Sequence, residues 1–159
     1  MTPPAGQPET PDPLDEEIAR LEEFVALLQE EQALLAAGDG DRLLSLVETK
    51  TALANRLAAL GEMREAALAR QGCGAGREGM EAWLARQGNP ARQAAWQKFL
   101  ALAAQARELN EVNGKLIGLQ MHHNQQALAA LMSATDRAMV YGPDGQQSAG
   151  LSGRILGKA

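Results

Sequence analysis

His122 and His123 are the only histidines of the chain, and they are adjacent within a stretch of helical pattern. Imidazoles can ligate a metal or carry a phosphoryl group, so these two are the first candidates for chemistry. Neighbouring residues on a helix point about 100° apart, and such a pair cannot close on one metal as residues four apart do. No Asp or Glu stands close by on that stretch to complete a ligand set. A histidine phosphotransfer module is an acidic helical bundle built around one exposed His, usually followed by Lys, Gly and small residues. Here the run is His123-Asn124-Gln125-Gln126. The histidines read instead as polar residues on a solvated or partner-facing surface.

The remaining motifs carry less. GRILGK at 153–158 has three residues between its glycines and no Ser or Thr after Lys158, so it is not a phosphate loop. Cys73 is the only cysteine, which excludes a disulfide framework and a thiolate metal cluster. Nowhere do a nucleophile, a base and an orienting acid fall into a recognisable arrangement. No enzyme, cofactor or metal is expected.

A different feature stands out around the histidines. From Leu116 to Thr135 there is no Asp, Glu, Lys or Arg. Ile117, Met121, Asn124, Leu128, Leu131 and Thr135 step at four-three spacing, continued by Met139, with Met132 beside them. Leu116, Leu119, His123, Gln126 and Ala130 form a second, adjacent stripe. Charge is depleted at interface cores because an unpaired buried charge is costly. An uncharged face rich in Met and Gln can repack around apolar ligands, so it reads as a surface for a partner helix. Self-association of the chain through the same stripes, as a structural coiled-coil subunit or homodimer, is the alternative.

The elements that carry this face follow from composition and periodicity. The chain has 159 residues, 45% hydrophobic but only 3% aromatic, so Ala and Leu must supply most of the core of one all-helical domain. Net charge is −5, which argues against a nucleic-acid binder. Residues 1–37 hold nine acidic residues and one Arg, and the rest holds eleven acidic and fourteen basic ones. An acidic first helix can therefore pair with a mildly basic remainder. The N-terminus lacks a signal-peptide pattern and no apolar run is long enough to span a bilayer, so a cytoplasmic protein, not membrane-embedded, is expected.

Residues 1–13 hold five of the seven prolines and read as a disordered leader. A first helix runs from near Asp15 to about Ala37 on a heptad seam of Leu14, Ile18, Leu21, Val25, Leu28 and Leu35, with Gln32 in the polar slot and Phe24 and Leu27 alongside. GDGD at 38–41 ends it and caps the next. The second helix, roughly 41–70, carries Leu43, Leu46, Leu53, Leu57 and Leu60, with Lys50 at a seam position. So short a link forces an antiparallel hairpin. QGCGAGREG at 71–79 has four glycines in nine residues and is expected not to be helical. MEAWLARQ then forms a brief helical turn that lays Trp83 and Leu84 over the hairpin end. Gly88-Asn89-Pro90 marks the start of a long helix reaching about Val140.

At about 1.5 Å per residue the long helix measures roughly 75 Å, against roughly 38 to 45 Å for the other two. Either it kinks near Gly114 and Gly118 or its last part projects beyond the hairpin. The whole is an elongated antiparallel helical hairpin plus a long third helix, a coiled-coil-like three-helix bundle over 14–140. Residues 141–159 read as a Gly-rich flexible tail.

These residues resemble the FlgN family of flagellar type III export chaperones. The likeness covers roughly 15–159 and is most specific at Asn110, Asn113, Gly114, Leu116 and Ile117 and in Tyr141-Gly142-x-x-Gly145, with LVETKTALANRLAAL around Lys50 a looser match. The resemblance implies a small cytosolic helical chaperone with no cofactor and no enzymatic activity. Such chaperones bind the C-terminal helical segments of the hook–filament junction proteins FlgK and FlgL, prevent premature assembly and deliver them to the export gate. It assigns client capture to the C-terminal part of the chain. It assigns docking on the cytoplasmic domain of FlhA to the tyrosine after the long helix, which is Tyr141 here.

Overall fold

The computed structural model describes residues 13–140. The expected leader up to residue 12, the tail and Tyr141 lie outside the described residues. Four helices make up the described chain: α1 Pro13–Ala37, α2 Gly40–Arg70, α3 Gly76–Gln87 and α4 Pro90–Val140. The fold is all-α, and the described residues contain no strand. Pro13, read as the end of the leader, is the first residue of α1, where its missing N–H costs nothing. The chain divides into two units at the Ile117–Gly118 bond.

The first unit is a hairpin with α3 and the first half of α4 packed on it. Gly38 takes a positive φ of 69°, and the Asp39 carboxylate accepts from the Arg42 N–H at 3.2 Å, so α1 and α2 join through a single tight turn. The heptad seam of α1 is buried, but so are Glu17, Leu27, Glu31 and Leu34, which widen the buried face. On α2, Leu60 and Leu68 are buried, while Leu43, Leu46, Leu53 and Leu57 are half-buried. Two apolar clusters form the core. One gathers Leu14, Ile18, Leu68, Met80, Leu84 and Trp96; the other gathers Leu21, Val25, Leu28 and Ala106.

Acidic side chains of α1 meet basic ones from α2 and α4. Glu17 pairs with Arg64 at 2.9 Å, Glu31 with Lys50 at 3.0 Å and Asp15 with Arg92 at 3.4 Å, and Glu16, Glu22 and Glu30 pair with Arg56, Lys98 and Arg42. The charge asymmetry of the sequence thus becomes a set of cross-helix contacts. Lys50, a polar interruption of a leucine seam by pattern, is the partner that Glu31 needs. Arg64 also lies 5.4 Å from the ring centres of both Trp96 and Phe99, which stack on each other at 5.0 Å.

The glycine-rich link differs from expectation. Helix resumes at Gly76, inside the segment expected to be non-helical, and α3 is a helix of 12 residues instead of a brief turn. Its start is tied to α2, because the Gly76 N–H donates to the Glu65 carboxylate at 2.9 Å. Gly79 lies against the Gly74 backbone so closely that a Cβ there would meet the Gly74 oxygen at 1.6 Å. Met80 and Leu84 then anchor α3 in the core, and Trp83 is half-buried beside them. The glycines permit a close approach; they do not prevent a helix. Gly88, with a φ of 62°, ends α3, and the Asn89 side chain caps α4 by accepting from the Ala91 N–H at 3.0 Å.

Two outcomes follow from this packing. Gly79→Ala is expected to cost about 1–3 kcal/mol or more through its clash with backbone, whereas Gly74→Ala, whose Cβ meets only ordinary contact at 4.0 Å, stays near wild type in thermal melts. Burial lifts the Glu17 carboxyl above the ordinary glutamate value, outweighing the Arg64 hydrogen bond and charge that lower it. A carboxyl raised on folding adds stability below its unfolded pKa and loses it as pH rises through the folded value. The stability of wild type relative to Glu17→Gln, from urea melts between about pH 4 and about pH 7, is expected to be larger at the acid end.

Candidate functional site

The second unit, described to Val140, is the C-terminal part of α4. Every residue from Met121 to Val140 is exposed. Among them are large apolar side chains: Leu128 is 58% exposed, Leu131 66% and Met139 80%, with Met121, Met132 and Val140 alongside; just upstream Leu119 is 57% exposed. Asn124 and Thr135 complete the expected stripe and are exposed too, the Thr135 hydroxyl donating to the Leu131 carbonyl at 2.9 Å. At the head of the stripe Ile117 is 38% exposed, and Leu116 is half-buried. α4 is helical through Gly114 and Gly118, and a Cβ at either would meet nothing within 4 Å. From Leu116 to Thr135 this run has no charge to keep it wet, and a surface of that kind is suited to a partner.

A polar tie precedes it in the first unit. Asn113 is wholly buried, and its side-chain amide donates to the Leu28 carbonyl at 2.9 Å and to the Glu31 carboxylate at 2.7 Å. Lys50 donates to both oxygens of the same carboxylate at 3.0 Å. One carboxylate of α1 therefore holds α2 and α4 together. Asn113 stood out only through the family resemblance, and its physical role was not evident from spacing. Glu31 and Glu17 were missed altogether, although both fall seven residues from Phe24 on the buried side of α1. Asn110, singled out with Asn113, is exposed.

Other candidates for chemistry stay dispersed. The His122 and His123 rings are 6.3 Å apart on the exposed helix, and the His122 Nε2 lies 3.0 Å from the Gln126 amide nitrogen. Among the described residues no group of His, Cys, Asp and Glu could hold a metal ion. Cys73 is half-buried, its sulfur 3.9 Å from the Gln71 carbonyl oxygen. A cleft of about 330 Å³ at the start of α1 is walled by Leu14, Ala67, Leu68, Met80 and Trp83, and its one charged side chain, Arg64, is engaged by Glu17. No described helix is long and apolar enough to cross a membrane.

Asn113→Ala leaves the Leu28 carbonyl without its amide donor and Glu31 with Lys50 alone. A loss of about 1–3 kcal/mol is expected in chemical denaturation, against a change within about 0.5 kcal/mol for the exposed neighbour Asn110→Ala.

Comparison with known proteins bears on the whole of this architecture. The family described as FlgN protein matches residues 9–149. The flagella synthesis protein FlgN of Yersinia enterocolitica serotype O:8 / biotype 1B is 31% identical over 147 residues, covering 91% of this chain and 93% of the relative. A second Y. enterocolitica sequence of the same description matches with the same identity and coverage. The crystal structure of a protein described as a flagella synthesis protein FlgN from Pseudomonas aeruginosa superposes with a TM-score of 0.62 at 23% identity, covering 70% of this chain and 90% of that one. That likeness shows the shared fold. A helical hairpin closed by a long fourth helix, together with sequence matches over nearly the whole chain, leads to one assignment: the chain belongs to the FlgN family.

Proposed function

We propose that this protein serves flagellum biogenesis as a cytoplasmic, non-enzymatic export chaperone. It binds the C-terminal helical segments of the hook–filament junction proteins FlgK and FlgL, keeps them from assembling early and delivers them to the export gate. The observation that carries the reading is the exposed apolar face of α4, free of charged residues from Leu116 to Thr135 and continued by Met139. Family membership supplies the setting, and the relatives' description as flagella synthesis proteins supports it.

Mechanistically, a client segment folds into an amphipathic helix on this face. Leu116, Ile117, Leu119, Met121, Asn124, Leu128, Leu131, Met132, Thr135 and Met139 supply the contact. Ordering the client costs about 2–5 kcal/mol or more of the gross interaction, so affinity stays moderate, as suits a chaperone that must release its cargo. Met side chains adapt to two clients of different sequence. Tyr141, which follows the last described residue, is assigned to docking on the cytoplasmic domain of FlhA by family resemblance.

The test is a calorimetric titration with the C-terminal segment of the FlgK-type protein from the same source, with complex mass from light scattering. Saturable 1:1 binding is expected. Leu128→Glu with Leu131→Glu should weaken it by about 100-fold or more while the helical circular dichroism is kept. Binding that survives the double substitution removes this segment from the interface. A chain that is dimeric and binds no client supports the self-associating coiled coil instead. Tyr141→Ala is expected to spare client binding and weaken FlhA docking; loss of both would make the tyrosine structural.

A further inference from the structure

The charge-free face is wider than one helix needs, and the register of α4 shows what width of partner it suits. At 3.6 residues per turn, a shift of about eighteen residues is roughly five full turns and returns to the same side of a helix. In the first unit one side of α4 is buried against two helices at once. Trp96 and Phe99 lie under Arg64 of α2. Ala106 packs with Leu21, Val25 and Leu28 of α1, Leu109 adjoins the same cluster, and Asn113 bonds to α1 directly. Moving each of these along by the same five turns leads to Gly114 and then Met132 from Trp96, Asn124 from Ala106, Ala127 from Leu109 and Leu131 from Asn113. Phe99 leads to Ile117 and then Thr135. None of these positions is charged, and all are exposed.

The side that faces solvent in the first unit follows another pattern. Glu111 and Lys115 are exposed there, and their counterparts are Ala129 and Ser133. Downstream α4 thus keeps the apolar arc of a helix packed against two neighbours, about 160° wide, with no second helix of the described chain on it.

Resting on the client reading above, we infer that the occupant is a pair of amphipathic helices, not a single one, seated on the two flanks of this arc as α1 and α2 are seated upstream. One flank carries Met121 and Met132, in line with Ala103 and Trp96. The other carries Ala127, in line with Leu109, and Ala134, within about 20° of the same line. Leu128 and Leu131 lie between, where both helices touch. A client segment that binds here must therefore contain a turn and two apolar-faced stretches, each spanning most of the exposed part of α4.

Three double variants of the full chain test this with the same client segment. Met121→Glu/Met132→Glu and Ala127→Glu/Ala134→Glu each charge one flank, and Ala129→Glu/Ser133→Glu charges the back. Each flank variant is expected to weaken binding by about tenfold or more, and the back variant by less than about threefold, with helicity unchanged in all three. A single-helix occupant would lie along the centre and at most one flank, that of Met121 and Met132, and leave the other as tolerant rim; loss of binding in the Leu128/Leu131 variant with either flank variant near wild type overturns the inference while keeping the client reading. Hydrogen exchange of the bound client gives an independent readout. Two protected stretches separated by an unprotected turn are expected, and one continuous protected stretch overturns the pair. No binding by the wild-type chain fails the client reading itself, and the inference falls with it.

Discussion

The arrangement depends on two buried carboxylates. Glu17 and Glu31 lie two heptads apart on α1, and Arg64 and Lys50 lie two heptads apart on α2 in the reverse direction, so one antiparallel register satisfies both pairs. Between them Phe24 and Leu57 pack on the same apolar cluster. A slip of one heptad would set an acid against Leu57 and leave a buried charge alone, at a cost of several kcal/mol (about 3–5 when one partner of such a pair is removed). Leucine seams on their own tolerate slips far more readily, since one leucine replaces another. The charges therefore select among packings that apolar burial would leave nearly equal.

The same two carboxylates position α4. Arg64, held by Glu17, sets its guanidinium over the stacked Trp96 and Phe99. Glu31, held by Lys50, accepts from Asn113 about five turns further along. Each node joins three helices, and the apolar clusters fill the space around them. The core has little aromatic mass, and what it has is concentrated at the first node. Small residues such as Ala106 let α4 settle elsewhere. An acidic α1 is thus the central strut of the hairpin, and its carboxylates are consumed inside the first unit.

Much of this was legible in the chain itself. Asp39 and Asn89 announce helix starts, Gly38 and Gly88 announce stops, and the four-three spacing of leucines marks which sides are buried. Two things were not legible. The first is α3: four glycines look like a break, and nothing local reveals that Gly79 is needed for a backbone contact with Gly74. The second is the worth of buried polar residues. Lys50 looks like a blemish in a leucine seam, and Glu17 and Glu31 look like ordinary surface acids beside one, until each is seen with its partner on another helix, and pairing across helices is not a property of one segment. The exposed face was legible for the opposite reason. Its signal is purely local, an uncharged run on a helix, although its occupant is not written in it.

The described residues of the second unit, 118–140, contain one acid and one base, Asp136 and Arg137, and so carry no net charge. Any partner approaching this face meets almost no long-range field. Its capture rate is then that of unsteered encounter, about 10⁵–10⁶ M⁻¹ s⁻¹, and nearly indifferent to ionic strength, while the cross-helix pairs of the first unit that lie near solvent weaken as salt rises. The molecule thus separates its two kinds of interaction by solvent response. One half is held in register by electrostatics, and the other exposes an apolar face whose contacts a change in salt would leave almost untouched.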